Sequence, residues 1–371
     1  MTFVHETKEW PRLRWDDARL SIPLADVRYH QGMLLGRMKG LGFELRAEAS
    51  LKALTTEVLK SSAIEGEILN AEEVRSSIAR RLGMDVGVTP PSSRDVEGVV
   101  EMMLNATQKY TEPLTKERLF DWHAALFPTG RNGMRRIAVG KWRTDETGPM
   151  QVVSGPMGKE RVHFKAPAAH RVEHETAVFL SWFNSPNAVD PVLKASVAHF
   201  WFVTIHPFED GNGRIARAIA DMALARAEGT PQRFYSASAQ IEAERKQYYR
   251  ELESSQRGTV DITLWLEWFL DCLGHAIEKA EQDLAAILRK AKIWDQLNQG
   301  QVNDRQRKII NLLLGDFEGK LSTSKYAKIA KCSEDTALRD IKDLVKRGIL
   351  IRNEGGGRSV TYRVSEPEPE S

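Results

Sequence analysis

The stretch His206-Pro207-Phe208-Glu209-Asp210-Gly211-Asn212-Gly213-Arg214-Ile215-Ala216-Arg217 sets an imidazole, carboxylates, a glycine-lined turn and two guanidinium groups side by side. These are the parts of a nucleotide-phosphate site. Phosphate oxygens need backbone N–H groups facing them, and Gly211 and Gly213 leave the chain free to take positive φ and to approach an anion closely. The run from Arg214 to Ala227 is rich in helix formers, so the unpaired amides at its start would favour an anion at the turn. Arg214 and Arg217 share one face of that helix. His206 is suited to deprotonate an attacking hydroxyl, because imidazole titrates near neutral pH. Asp210 is suited to Mg²⁺, which prefers one or two carboxylates together with phosphate oxygens and water; the same carboxylate could also cap the helix. Phe208 is assigned to packing, since a phenyl ring moves neither protons nor phosphate, and Glu209 to the solvated surface.

This string resembles the signature of the Fic family, His-x-Phe-x-Asp/Glu-Gly-Asn-Gly-Arg-x-x-Arg, and meets it at every fixed position. The resemblance implies a mostly α fold, a helical Fic core with a small β-hairpin flap. It implies transfer of AMP from ATP, with Mg²⁺, to a hydroxyl side chain of a target protein and of the enzyme itself, with release of pyrophosphate. His206 would then be the base and Asp210 the metal ligand. Asn212 would contact the α-phosphate, Gly211 and Gly213 would cradle the anion, and Arg214 and Arg217 would hold the distal phosphates, with Arg217 on the γ-phosphate. Bidentate guanidinium geometry suits that role, so lysine replacements would not be conservative. A phosphorylating branch carries Lys where Gly213 stands here, which favours AMP transfer. Branches with UDP- or CDP-linked donors keep much of the motif, so the nucleotide base is less constrained than the phosphates. Tyr248 and Tyr249 are candidates for the adenine pocket, a place in the core being the alternative for aromatics on a helix.

Two further segments belong with the motif. Gln151-Val152-Val153-Ser154-Gly155 followed by Arg161-Val162-His163-Phe164 reads as a hairpin with a free edge. An unpaired edge offers backbone donors and acceptors to an incoming strand, and in Fic proteins such a flap docks the target. Lys141 and Trp142 are expected to brace its base. Upstream, Ser61-Ser62-Ala63-Ile64-Glu65-Gly66 resembles the family's inhibitory pattern, Ser/Thr-x-x-x-Glu-Gly/Asn. By that resemblance Glu65 pairs with Arg217 and keeps it from the γ-phosphate, while Gly66 ends or kinks the helix. Unit charges about 4 Å apart at an effective dielectric of about 20 attract by about 4 kcal/mol before desolvation. A bias of about 2.7 kcal/mol toward the closed state leaves about 1% of the enzyme competent. A carboxylate held there could also orient a water to remove AMP, a reverse activity.

The elements that must position these residues read as mostly helical. The chain has 371 residues, enough for two or three domains, and its 42% hydrophobic and 28% charged content fits a globular protein. Lys+Arg and Asp+Glu, at 53 and 51, nearly cancel, so no global field points to nucleic acid or membrane. The absence of an apolar leader or spanning run, and only two cysteines, Cys272 and Cys332, predict a cytoplasmic protein. Helical periodicity covers Glu48 to Lys60, Ala71 to Arg81, Val192 to Thr204 and Asp261 to Glu281, with Lys141 to Arg161 non-helical. The run Gly87-Val88-Thr89-Pro90-Pro91-Ser92-Ser93 is a breaker. The expected domains are a helical module with the inhibitory helix over 1–90, the catalytic core over 91–290, a winged helix over 291–364 and a disordered tail over 365–371.

The winged helix rests on helices over Arg305 to Leu314, Thr323 to Ala330 and Glu334 to Arg347, then two short strands around Gly355-Gly356-Gly357. Ala337, Leu338, Ile341, Leu344 and Val345 form the apolar stripe of the last helix. Arg339, Lys342, Lys346, Arg347 and a wing-tip Arg358 suit phosphate contacts, whereas Glu334 and Asp335 suit the helix dipole better than DNA. DNA binding and protein docking or homodimer formation both remain open. A DNA-binding regulator with a nucleotide-sensing core is a rival reading, against which stands the intact His206, because sensing needs no base.

Overall fold

Capping side chains set most of the boundaries. In α1 (Asp17–Lys39) the Asp16 carboxylate accepts from the Ala18 and Arg19 amides. Next, α2 (Phe43–Ile64) runs beyond the expected limits at both ends and into the segment read as inhibitory from the sequence. Asn70 caps α3 (Ala71–Arg81), Ser93 caps α4 (Arg94–Gln108) and Thr115 caps α5 (Lys116–Leu126), each side chain accepting from first-turn amides. Two hairpins follow, β1 (Arg131–Asn132) with β2 (Arg135–Arg136) and β3 (Gln151–Ser154) with β4 (Arg161–Lys165). The helices resume with α6 (Ala169–Asn184), α7 (Pro191–Ile205), α8 (Asn212–Glu228), α9 (Ala237–Ala243), α10 (Arg245–Ser255) and α11 (Thr263–Asn298). This computed structural model describes residues 2–84, 91–146, 148–155, 161–186, 188–298, 302–314, 317, 319–353 and 360–365. The chain forms two compact units, Met1–Ala280 and Glu281–Ser371.

In the first unit α7 and α8 pack along each other at the centre of the core. Helix α7 is apolar on nearly every face and its residues Val192, Ala195, Ala198, Phe200, Phe202 and Ile205 have no exposed surface, as expected of a helix surrounded by protein. Facing it, α8 alternates bulky Ile215, Ile219, Met222 and Leu224 with alanines, all buried, so the two backbones can run close. The turn between the two helices is the motif, and it is therefore anchored by a closely packed helix pair.

The second unit begins within α11 and continues with α12 (Asp304–Leu313), β5 (Leu321–Ser322), α13 (Thr323–Ala330), α14 (Glu334–Lys346), β6 (Leu350–Arg352) and β7 (Thr361–Val364). The strands form one antiparallel sheet in the order β5-β7-β6. This is a winged helix with one strand more than the sequence suggested. The two residues of β5 lead straight into α13 and are too short to show a period. Ile309, Ile310, Tyr326, Ala337, Ile341, Leu344, Ile349 and Leu350 make its core. Of the predicted stripe, Leu338 is half-buried and Val345 is exposed, which narrows the core face of α14. Ser365 donates its N–H to Ile349 O and so belongs to the sheet rather than to a tail. Gly355, Gly356, Gly357, Arg358, positions 366–371 of the tail and positions 87–90 of the breaker lie outside the described residues. Among the described residues no helix is long and apolar enough to cross a membrane. Both cysteines are free thiols.

Close packing also fixes α4 against α5. A Cβ on Gly98 would fall 1.7 Å from the Ala125 carbonyl oxygen, backbone that cannot step aside. Gly98→Ala is expected to push the helices apart and destabilise the protein by about 1–3 kcal/mol, read as a lower urea midpoint; an unchanged midpoint contradicts this packing.

Candidate active site

The chain turns sharply where α7 ends. His206 sits at its C-terminus with φ 52 and ψ 58, a left-handed conformation uncommon outside glycine. What holds it there is Arg143, whose Nε donates to His206 O at 2.7 Å and whose Nη2 donates to Pro167 O at 2.5 Å. Its own N–H reaches Pro207 O at 3.0 Å. Below the turn Phe208 is fully buried and stacks on His123 with centroids 4.2 Å apart and planes 8° from parallel. Trp142 packs on Phe120 and Phe208, so it supports the motif rather than the hairpin, while Lys141 is exposed. The neighbours are aromatic, which is why Trp142 belongs there.

Asn212 locks the loop. Its Oδ1 accepts from Phe208 N at 3.0 Å and its Nδ2 donates to Phe208 O at 2.9 Å, so the buried side chain is committed to backbone. In this arrangement the Asn212 amide holds the turn, and any phosphate contact of Asn212 would have to be made alongside that role. Asp210 Oδ1 accepts from Gly211 N at 2.6 Å and Oδ2 from Asn132 Nδ2 at 2.6 Å. The α8 N-cap is Gly211, at φ 78, not Asp210. Glu209 is half-buried and accepts from Ala138 N at 3.2 Å, a tie to the adjoining loop rather than a solvated residue. Gly213 has ordinary helical backbone; what it supplies is space, for a Cβ there would lie 2.2 Å from Glu65 Oε1.

The segment Ser61 to Glu67 reaches this space from the end of α2. Gly66 at φ 86 follows Glu65, Gly66 N donates to Ala63 O at 3.0 Å and Glu67 N to Ser62 O at 3.1 Å. This is a Schellman turn, which reverses the chain and aims two carboxylates at α8. Arg217 Nη2 donates to Glu65 Oε1 at 2.8 Å and to Ser61 O at 2.7 Å, and Nε donates to Ser61 Oγ at 2.9 Å. Sequence reasoning missed the companion contact, Arg214 Nη1 to Glu67 Oε2 at 2.5 Å. The Glu-Gly-Glu spacing across a positive-φ turn was its only signal. Burial pushes the Arg217 guanidinium down, and the Glu65 carboxylate together with Tyr248 and Tyr249 more than offsets it, so the net shift is upward. Burial raises the Glu67 carboxyl against the pull of Arg214.

A cavity of about 990 Å³ opens beside these groups, lined among others by Glu65, His206, Gly213, Tyr248, Tyr249 and the β3–β4 hairpin. Burial, then Arg143, lowers the His206 imidazole to about 4 against the Val203 carbonyl, Asp210 and Glu65, below the near-neutral titration expected from its residue type, so the ring is neutral at physiological pH. Its Nδ1 lies 3.3 Å from Val203 O. Tyr248 is a core residue, its hydroxyl 3.1 Å from His199 Nε2. Tyr249 is exposed and its hydroxyl donates to Ile64 O at 3.4 Å, at the end of α2. Gln151, Val152, Val153 and Ser154 are all exposed on β3, which pairs with β4 alone among the described strands and carries a bulge between Val152 and Val153.

Phosphate fits what is left unpaired. Arg217 Nη1 and Arg214 Nε are buried with no hydrogen-bond partner among the described residues, and the space over Gly213 admits an anion in place of the Glu65 carboxylate. The described residues hold no cluster of three metal-type ligands, and Mg²⁺ on a nucleotide needs fewer.

Comparison with known proteins gives the class. Residues 113–224 match the Fic/DOC family, residues 305–363 a DeoR-like helix-turn-helix domain, and residues 3–84 a domain of unknown function, DUF4172. The chain carries a Fic domain and a C-terminal winged helix. The Drosophila mojavensis protein named Protein adenylyltransferase Fic is 27% identical over 230 residues, 60% of this chain and 40% of that protein. Protein adenylyltransferase fic-1 of Caenorhabditis briggsae is 33% identical over 100 residues, 26% of this chain and 19% of that protein. The chain thus spans well under half the length of these relatives. A Fic family protein structure from Desulfovibrio desulfuricans G20 matches with TM-score 0.50 and 21% identity, covering 94% of this chain and 97% of that one. A Fic domain containing signaling protein from Bacteroides thetaiotaomicron matches with TM-score 0.51 and 18% identity, over 69% of this chain and 95% of that one.

Glu67 occupies Arg214 in this structure. Glu67→Gln is expected to tighten binding of a triphosphate nucleotide by roughly five- to thirtyfold, measured by calorimetry, since removing one charge of a paired clamp is worth about 1–2 kcal/mol. Unchanged affinity would show that Arg214 is not a phosphate ligand.

Proposed function

We propose that this protein is an auto-inhibited protein adenylyltransferase that moves AMP from ATP to a hydroxyl of a target protein and releases pyrophosphate. The observation that carries the reading is the Glu65 carboxylate lying against Arg217 and over Gly213, in the wall of the cavity that His206 also lines. An anion is already bound where a polyphosphate would go, and it belongs to the chain itself.

When Glu65 and Glu67 withdraw, Arg217 and Arg214 are free to take the distal phosphates, and the start of α8 presents its amides to the same charge. His206 takes the proton of the target hydroxyl as that oxygen approaches the α-phosphorus. Its lowered basicity keeps it neutral and ready, and the left-handed backbone held by Arg143 aims it. Asp210, oriented by Asn132, would hold Mg²⁺, which neutralises phosphate charge when bound. The exposed edge of β3 would receive the target backbone by strand pairing and so demand little of its side chains.

Incubation with Mg²⁺ and ATP labelled at either the α- or the γ-phosphate tests this. Label from the α-position only should pass to protein acceptors added in trans, and His206→Ala should cut that transfer by roughly two to four orders of magnitude. Transfer of γ-label would make the protein a kinase; ATP binding with no transfer would leave only a sensor.

A further inference from the structure

A second histidine lies in the same cavity with a hydroxyl already bonded to it. Ser154 Oγ and His163 Nε2 are 2.5 Å apart, and His163 Nδ1 is 2.7 Å from Glu253 Oε2. A carboxylate can only accept, so Nδ1 carries the ring proton, Nε2 is the acceptor and Ser154 is the donor. Glu253, on α10, is itself held by Arg161 at 2.9 Å and Arg257 at 2.6 Å. Nucleophile, base and orienting carboxylate thus stand in the order that activates a serine. Ser154 lies at the exposed end of β3, and Ser154, His163 and Glu253 line the cavity together with His206, Gly213 and Glu65.

We propose that Ser154 is a nucleotidylation site of the protein itself, with His163 as its base; the assignment rests on the nucleotidyl-transfer reading above. Ser154 Oγ attacks the α-phosphorus of ATP. The Oγ–P bond forms as the bond from that phosphorus to the bridging oxygen breaks, and pyrophosphate leaves with the electron pair. The hydroxyl proton passes to His163 Nε2, and the resulting imidazolium faces the Glu253 carboxylate before it returns the proton to solvent. The product carries AMP on the free edge of β3, the edge proposed to pair with a target, so self-modification would close the docking strand.

The test uses the full chain in its Glu65→Gly form, incubated with Mg²⁺ and ATP and then digested for adduct mapping by tandem mass spectrometry. The expected result is one nucleoside monophosphate on Ser154, none at that position after Ser154→Ala, and a rate at Ser154 lowered on the order of a hundredfold by His163→Ala. Glu253→Gln, which acts through the ring, should lower the maximal rate at Ser154 without changing the ATP concentration at half-saturation. Adducts confined to other residues, with the Ser154 peptide recovered unmodified, overturn this assignment and leave the transferase reading standing. No adduct and no pyrophosphate release from any variant overturns both.

Discussion

A guanidinium buried as deeply as that of Arg217 must find an anion and hydrogen-bond acceptors, because an unpaired charge in a core is among the costliest arrangements a protein can hold. In this molecule the end of α2 supplies them. Ser61 gives a hydroxyl and a carbonyl, and Glu65 gives a carboxylate, all on one side of the arginine. The contact joins residues far apart in sequence and ties the N-terminal helices to the motif. A polyphosphate that took over the Nη2 contact would have to displace Glu65, while Nη1 has no hydrogen-bond partner among the described residues. On the proposed reading, binding and inhibition therefore draw on one electrostatic demand.

The rest of the first unit serves to keep that demand in place. The packing of α7 on α8 fixes where the arginines project. Asn212, Arg143 and the stack of His123 on Phe208 fix the turn between the helices, so His206 holds a backbone conformation that its own residue type disfavours. The Schellman turn at Gly66 then sets two carboxylates against two arginines. Few of these restraints come from the reactive residues themselves.

Much of this was legible in the amino-acid string, and the division follows physical lines. Helix α3 was read to the residue because a polar cap and an amphipathic face coincide there. Helix α2 was read short, since Ser61 and Ser62 look like a polar end and are in fact fully buried beneath the motif. His206, Arg214, Arg217 and Glu65 were found because their chemistry and spacing are local. Arg143, Asn132 and Glu253 were not, because each matters through partners distant in the chain, and a lone charged residue carries no sign of what it will meet. The structural role of Asn212 was not legible for a related reason: an amide beside an anion turn suits phosphate, and nothing local shows that the Phe208 backbone needs both its donor and its acceptor matched. Strand β5 escaped notice because two residues show no alternation.

The central claim is that Glu65 holds the protein inactive by occupying Arg217. The most direct measurement compares the initial rate of AMP incorporation by the unaltered protein and by Glu65→Gly under equal Mg²⁺ and ATP. The account predicts a rise on the order of ten- to a hundredfold on losing the carboxylate, the release of a closed state favoured by about 1.4–2.7 kcal/mol. Equal rates, or a lower rate in Glu65→Gly, would contradict it and make the Glu65 contact structural, or its carboxylate a participant in the chemistry.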